Sequence, residues 1–196
     1  MMAKQPAVEP RPMELVWPSK AYLPSYVSAL NRGWARDETR PESGAEDRAA
    51  IKANADRFLA SLVDREAKGG RIVMPDGSKV RRLPGYKCWM WDGEFCGSID
   101  LRWQPGTDAL PLYCLGHIGY NVVPWKQRRG YATRALGAML KLAAGEGLKR
   151  VEITTSPDNF ASQKVIVANG GELVETFITL PSQGSLTKLR YRIALA

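Results

Sequence analysis

One histidine and three cysteines in 196 residues leave little from which to build a metal centre. Cys88, Cys96 and Cys114 contain no Cys-x-x-Cys pair, so a zinc site of Cys and His ligands is disfavoured and no metal is expected. An odd number of cysteines also argues against a secreted disulfide framework. No run approaches the ~18 consecutive apolar residues of a membrane span. Residues 1–12 lack the apolar stretch of a signal peptide, so a cytoplasmic protein with no membrane partner is expected. A Gly-Lys-[Ser/Thr] phosphate loop is missing, which weakens any ATP-binding reading. Nor is there a polybasic arm. The densest basic clusters, Lys79 with Arg81 and Arg82 and Lys126 with Arg128 and Arg129, are short.

What is present is charge of one sign and enough apolar residue for a core. A formal charge of +8 and 44% hydrophobic residues favour a folded protein with an anionic partner. That partner could be a nucleotide cofactor, nucleic acid or an acidic surface, and charge alone does not choose among them; because Lys and Arg are scattered, an oligonucleotide-binding module is a secondary, competing reading. Residues 1–12 carry three prolines and read as a flexible arm; residues 13–196 suit a single domain.

Apolar periodicity orders the rest. Met13 to Val16 reads as a strand, and Ala45 to Lys68 as one amphipathic helix carrying Ile51, Phe58, Leu59, Leu62 and Val63, stopped by Gly69-Gly70. Pro75-Asp76-Gly77 centres a small hairpin. Asp92-Gly93 centres a larger one between Tyr86–Trp91 and Glu94–Trp103. A two-residue turn there sets Trp91 opposite Glu94 and Trp89 opposite Cys96, with Cys88 and Cys96 on opposite faces. Phe95 then shares a face with Ile99, Leu101 and Trp103, which describes a half-buried strand. Trp89 and Trp91 share the polar face and are the tryptophans expected to be available to a ligand cleft. A strand over 114–123, a helix over 128–145 with Ala132, Leu136, Met139, Leu140 and Ala143 inward, a strand over 151–155, a helix over 159–168 and two closing strands complete a mixed α/β sheet.

The strand end Val122-Val123-Pro124 runs through Gln127-Arg128-Arg129-Gly130-Tyr131-Ala132-Thr133 into a helix. The first N–H groups of a helix lack intrahelical acceptors and sit at the positive end of its dipole, so this turn is a candidate anion cradle. Gly130 lets the backbone approach an anion closely, and Arg128 and Arg129 flank it. A glycine that merely fits a strand-to-helix turn is the competing reading. Three further elements accompany it: Gly116-His117-Ile118-Gly119-Tyr120, the strand over 151–155, and Asn159-x-x-Ser162-x-Lys164-Val165-Ile166 followed by Asn169-Gly170-Gly171.

In order and spacing these elements resemble the GNAT superfamily of acyl-CoA-dependent N-acetyltransferases, most closely over Cys114 to Gly171, and within it a branch of predicted acetyltransferases. The resemblance implies a mostly antiparallel sheet of six to seven strands, flanked by helices, with a parallel pair splayed apart at the acyl-CoA site. It implies acetyl-CoA as co-substrate, an amine as acceptor and transfer by direct attack in a ternary complex. A CoA-binding sensor or scaffold without turnover is the alternative, and self-association into a homodimer is left open. The amides of Gln127, Arg128, Arg129, Gly130, Tyr131, Ala132 and Thr133 would bind the pyrophosphate. The main chain at Val122 and Val123 would pair with the pantetheine arm, and Asn159 and Ser162 would flank it. Asn159 also reads as a helix N-cap.

A backbone N–H at Val122 or Val123 is the expected oxyanion donor. His117, the single histidine, is a candidate base; its competing reading is a strand histidine bonded to a neighbouring segment. Asp100 and Glu152 are other candidate bases. Many members carry a tyrosine seven positions after the helix-start Asn, where this chain has Ile166. Either another group protonates the thiolate, with Ser162 and Tyr120 as the candidate acids, or the leaving group departs unaided; sheet packing is the competing role for Tyr120.

Overall fold

The computed structural model describes residues 12–74 and 76–195; the N-terminal arm expected at 1–12 lies outside them except for Pro12. The chain runs β1 (Glu14–Val16), α1 (Leu23–Asn31), α2 (Ser43–Ala53), α3 (Ala55–Ser61), β2 (Val63–Asp64), β3 (Ile72–Val73), β4 (Lys79–Val80), β5 (Gly85–Trp91) and β6 (Phe95–Arg102). It continues with β7 (Ile118–Val122), α4 (Tyr131–Gly145), β8 (Arg150–Thr155), α5 (Phe160–Val167), β9 (Glu172–Ile178) and β10 (Thr187–Ala194). One antiparallel sheet has the order β1-β5-β6-β7 with β2 also on β5; a second has the order β8-β10-β9; β3 and β4 form a separate ribbon. The mixed α/β architecture agrees with expectation, but among the described residues the strands divide between two sheets and the small ribbon, and outnumber the six to seven expected of one central sheet.

The expected helix over 45–68 is two helices and a strand. Asn54 is extended at φ −165° and its side-chain oxygen accepts the Arg57 N–H at 2.9 Å, which stops α2 and caps α3. After Ser61 the chain straightens so that Val63 pairs with Tyr86. α1 has no counterpart among the elements expected from sequence, although Tyr26, Ala29 and Leu30 are its buried residues at helical spacing.

The large hairpin turns where expected but with a different register. Trp91 faces Phe95, and a bulge then sets Met90 opposite Gly97 and Cys88 opposite Ile99. The extra residue reverses the alternation. Phe95 packs with Trp89 against α1, while Cys96 joins Cys88, Met90, Ile99 and Leu101 beneath α4. Cys88 and Cys96 therefore serve the same core, contrary to expectation, as free buried thiols. Both faces of β6 are covered, so the strand is buried and not half-buried. Trp89 is fully buried and stacked on Tyr26 at 4.6 Å between centroids, which removes it from any acceptor cleft.

β7 is shorter than the strand expected over 114–123, because the chain before it crosses close over β8. A Cβ on Gly116 would stand 3.1 Å from the Glu152 carbonyl. α4 begins at Tyr131 because Arg128 and Gly130 are left-handed, at φ 59° and 73°. Its buried face is Tyr131, Ala135, Leu136, Met139 and Ala143, so Ala132 and Leu140 lie only partly inward.

Candidate active site

β7 and β8 are the facing edges of the two sheets. The His117 N–H donates to the Glu152 carbonyl at 2.7 Å where β7 begins, whereas Tyr120, further along, reaches Ser162 beyond the end of β8. The two strands therefore run parallel and part company toward their C-terminal ends. Antiparallel pairing of β6 with β7 uses alternate residues of β7. The Val123 N–H donates to the Cys96 carbonyl at 2.9 Å, and the Arg102 N–H to the His117 carbonyl at 2.9 Å. By the same alternation the N–H groups of Tyr120 and Val122 face the gap. This separates the two valines: Val123 is fully buried with its amide engaged, while Val122 presents its amide to the opening.

At the end of β7 the chain makes a 3-10 turn over Pro124–Lys126, then the two left-handed residues, then α4. The first α4 bond runs from the Arg134 N–H to the Gly130 carbonyl at 3.1 Å. Among the described residues no protein group accepts the N–H groups of residues 128 to 133. That leaves a run of unaccepted donors, two of them on left-handed residues, at the positive end of a helix that runs to Gly145, a candidate nest for an anion. The Gln127 side chain donates to the Val122 carbonyl at 3.4 Å and so links nest to strand edge.

Asp92, read from sequence only as a turn residue, holds this nest from both sides. It accepts from Lys126 Nζ at 2.6 Å and from the Tyr131 hydroxyl at 2.6 Å. Lys126 and Asp92 are nearly enclosed, with Glu94 as a more exposed second partner at 3.2 Å. Burial alone would raise the Asp92 carboxyl, but Lys126 and Tyr131 outweigh it and hold it below the usual carboxylate range. Asp92→Asn keeps a turn-forming residue and removes the charge. Breaking an enclosed ion pair costs roughly 3–5 kcal/mol, and Glu94 should limit this to about 2–3 kcal/mol. Chemical denaturation should show that loss.

On the far side of the gap Asn159 caps α5, its Oδ1 accepting the Ser162 N–H at 3.0 Å. The hydroxyls of Tyr120 and Ser162 stand 2.8 Å apart, so the two candidate acids from different elements meet across the opening. Burial pushes the Tyr120 phenol up to about 12, with Ser162 pulling slightly the other way. Ile166 is fully buried in the core. Asn169 ties α5 to the start of α4 by donating to the carbonyls of Val165 at 2.9 Å and Thr133 at 3.2 Å.

His117 sits elsewhere. It is fully buried, its Nδ1 accepts the Glu152 N–H at 2.9 Å, and its Nε2 has no protein partner among the described residues. The neutral ring therefore carries its proton on Nε2 and spends its lone pair on a backbone amide. Burial holds the imidazole below its ordinary pKa, against an upward pull from Glu152. Glu152 itself binds Arg192 at 2.8 Å and Arg190 at 2.9 Å. Burial would raise that carboxyl, but the two arginines hold it below its usual range. Asp100 lies between Arg102 and Lys87 on the opposite face of the sheet.

Among the described residues no group of three His, Cys, Asp or Glu side chains stands close enough to hold a metal ion, and no helix is long and apolar enough to cross a membrane. Residues 32–172 match the family model described as an acetyltransferase (GNAT) domain. No curated protein matches the chain by sequence. Among solved structures, the microcin self-immunity acetyltransferase MccE, in complex with acetyl-CoA and AMP, superposes with a TM-score of 0.58 at 12% identity over 93% of this chain and 92% of that one. RimL, a ribosomal-protein α-N-acetyltransferase in complex with coenzyme A, superposes at 0.57 with 17% identity over 97% of each chain. An acetyltransferase from Salmonella typhimurium that modifies the N-terminal serine of a 50S ribosomal subunit protein gives 0.57 with 16% identity, over 97% of this chain and 98% of that one. At these identities the likeness is one of fold.

Proposed function

Because this chain belongs to the acetyltransferase (GNAT) domain family, we propose that it transfers an acetyl group from acetyl-CoA to a primary amine by direct attack in a ternary complex, as a single domain over residues 13–196 in the cytoplasm. The observation that carries the reading is the run of unaccepted N–H groups at residues 128 to 133, set beside the open edge of β7. The donor set suits a diphosphate: several consecutive amides are unaccepted, Arg128 and Arg129 belong to the same turn, and Gly130 adds no side chain. Acetyl-CoA, when bound, supplies the thioester carbonyl.

Everything else falls to the chain's own residues. Val122 offers N–H and C=O to an extended arm lying along β7, in the manner of an added strand. Asn159 and Ser162 border that arm from α5. The free-edge N–H groups of Tyr120 and Val122 are the available oxyanion donors, and Val123 is not among them. The Tyr120 hydroxyl, backed by Ser162, holds a proton for the departing thiolate and so takes the place of the phenol absent at Ile166. His117 we assign a positioning role: its lone pair on the Glu152 amide fixes the near end of the β7–β8 gap. Asp100 and Glu152 are held as carboxylates by their cationic neighbours, so deprotonation of the acceptor amine falls to water or to the acceptor site.

Titration calorimetry with acetyl-CoA, with CoA and with ATP tests the donor site before any acceptor is known. Acetyl-CoA and CoA should bind and ATP should not. Gly130→Glu should weaken binding at least 100-fold, because it places an anion in the nest and a side chain at φ 73°. No binding to the native chain would sink the proposal. Binding without thiol release in the presence of any amine would favour the scaffold reading, which the Tyr120–Ser162 pair counts against.

A further inference from the structure

On the face of β5 and β6 turned away from α4, a cavity of about 1230 Å³ opens beneath α2 and α3. Lys87 from β5 and Asp100 and Arg102 from β6 are among its lining residues. Asp100 pairs in register with Gly119 on β7. Gly119 leaves this group uncovered: a Cβ there would stand 3.1 Å from Arg102 Nη2 and 3.4 Å from Asp100 Oδ1. Tyr120, the next residue, is the one whose amide faces the donor gap. The charged group thus lies one residue from where the thioester is proposed to sit.

Its charge has a definite sign. Lys87, at 3.5 Å, and Arg102, closer still, share the single carboxylate of Asp100. The other carboxylates lining the cavity are already engaged. Asp47 accepts from the Tyr26 hydroxyl at 2.6 Å and pairs with Arg36; Glu46 pairs with Arg36 and Arg40; Asp64 accepts the amides of Lys68 and Gly69 at 2.8 Å. An incoming cation would meet no unengaged carboxylate. It would meet no aromatic face from Trp89 either, since that ring is buried. A positive surround has a second effect: it disfavours the ammonium form of a nearby amine and so helps to supply the neutral nucleophile.

We propose that the acceptor amine carries a carboxylate beside its nitrogen, and that Arg102 and Lys87 hold this carboxylate. The inference rests on the transferase reading above and names the substrate class of that site. An amino acid with a free α-carboxylate and a short peptide with acidic residues next to its N-terminus share this chemistry.

The test measures thiol release from acetyl-CoA with aspartate and glutamate, with their dimethyl esters, with paired N-terminal peptides bearing either Asp or Lys at the second position, and with putrescine. The acids, or the Asp peptide, should exceed their neutral or cationic counterparts by at least 100-fold in kcat/KM, and the arm that does so identifies the source. Arg102→Leu and Lys87→Met should each cut that preference at least tenfold, chiefly through KM, with the acetyl-CoA affinity of the same samples confirming that the donor side is intact. Esters or putrescine turned over as well as the acids would overturn the inference and leave the transferase reading standing. If no amine releases thiol, the transferase reading falls, and calorimetry of aspartate against its dimethyl ester with the CoA-saturated protein decides the inference alone. Binding of the acid only would uphold it; equal binding or none would overturn it.

Discussion

Tyr120→Phe is expected to lower kcat by about 10²- to 10³-fold while leaving acetyl-CoA affinity within about twofold, the range typical of a lost general acid. The phenol meets Ser162 Oγ at 2.8 Å across the opening between β7 and α5. Burial raises it to about 12, so it keeps its proton throughout the range in which amines become nucleophiles. Removing only the hydroxyl keeps the ring that packs against the core. Ser162→Ala should cost less, roughly tenfold, because it removes the partner and not the proton. Single-turnover rates with a reactive amine separate this step from binding. An unchanged rate for Tyr120→Phe would return the residue to sheet packing and leave the thiolate to depart unaided.

Gly97→Ala should produce the largest loss of stability. Gly97 lies at the bulge opposite Val122 with φ 149°, and a Cβ there would sit 2.2 Å from the Asn121 carbonyl oxygen and 2.8 Å from Val122 Cα. Both contacts are with backbone, so no side chain can swing aside. Strain at a glycine-favoured φ and overlap with the neighbouring strand together cost about 3–5 kcal/mol. For a chain of this size that lowers Tm by roughly 10 °C. Gly93→Ala separates the two causes, since Gly93 also has positive φ, at 109°, but open space where a Cβ would go. It should lose about 1 kcal/mol. Equal losses would mean that the overlap is relieved by movement of β7. That movement would be visible as weakened acetyl-CoA binding, because Val122 is the residue pushed.

The comparison of Gly93 with Gly97 also shows what the sequence could disclose. Asp92-Gly93 marks a reversal by local chemistry alone, and it is a reversal. The bulge two residues later depends on how β6 meets β7 and on the need to bury Phe95 beside Trp89, and neither is written in the turn. One extra residue was enough to move Cys96 to the other face. The single helix expected over 45–68 failed for a related reason. Apolar spacing continues through Asn54, whereas the Asn54 side chain finds a better use as a cap. The strand-to-helix turn over 127–133 and the Asn159 cap are legible because each is a short stretch whose backbone conformation follows from its own residues. Asp92 and the Lys87–Asp100 contact are not, because Lys126, Tyr131 and Lys87 lie on other elements than the carboxylates they meet and become neighbours only once the fold and register are known; Asp100 and Arg102, two apart on one strand, already share a face in the sequence.

The same Asp92 bears on how the nest pays its entropy. An irregular stretch with two left-handed residues would ordinarily sample many shapes, and an anion would have to select one, losing affinity in proportion to its rarity. Here Lys126 before the turn and Tyr131 after it are fastened to one carboxylate on a different hairpin. The freedom of the loop is thereby lost as the protein folds, before any ligand arrives. An anion bound there as proposed would have little backbone freedom left to restrict, so the cradle is preorganised by a residue that need not touch its ligand.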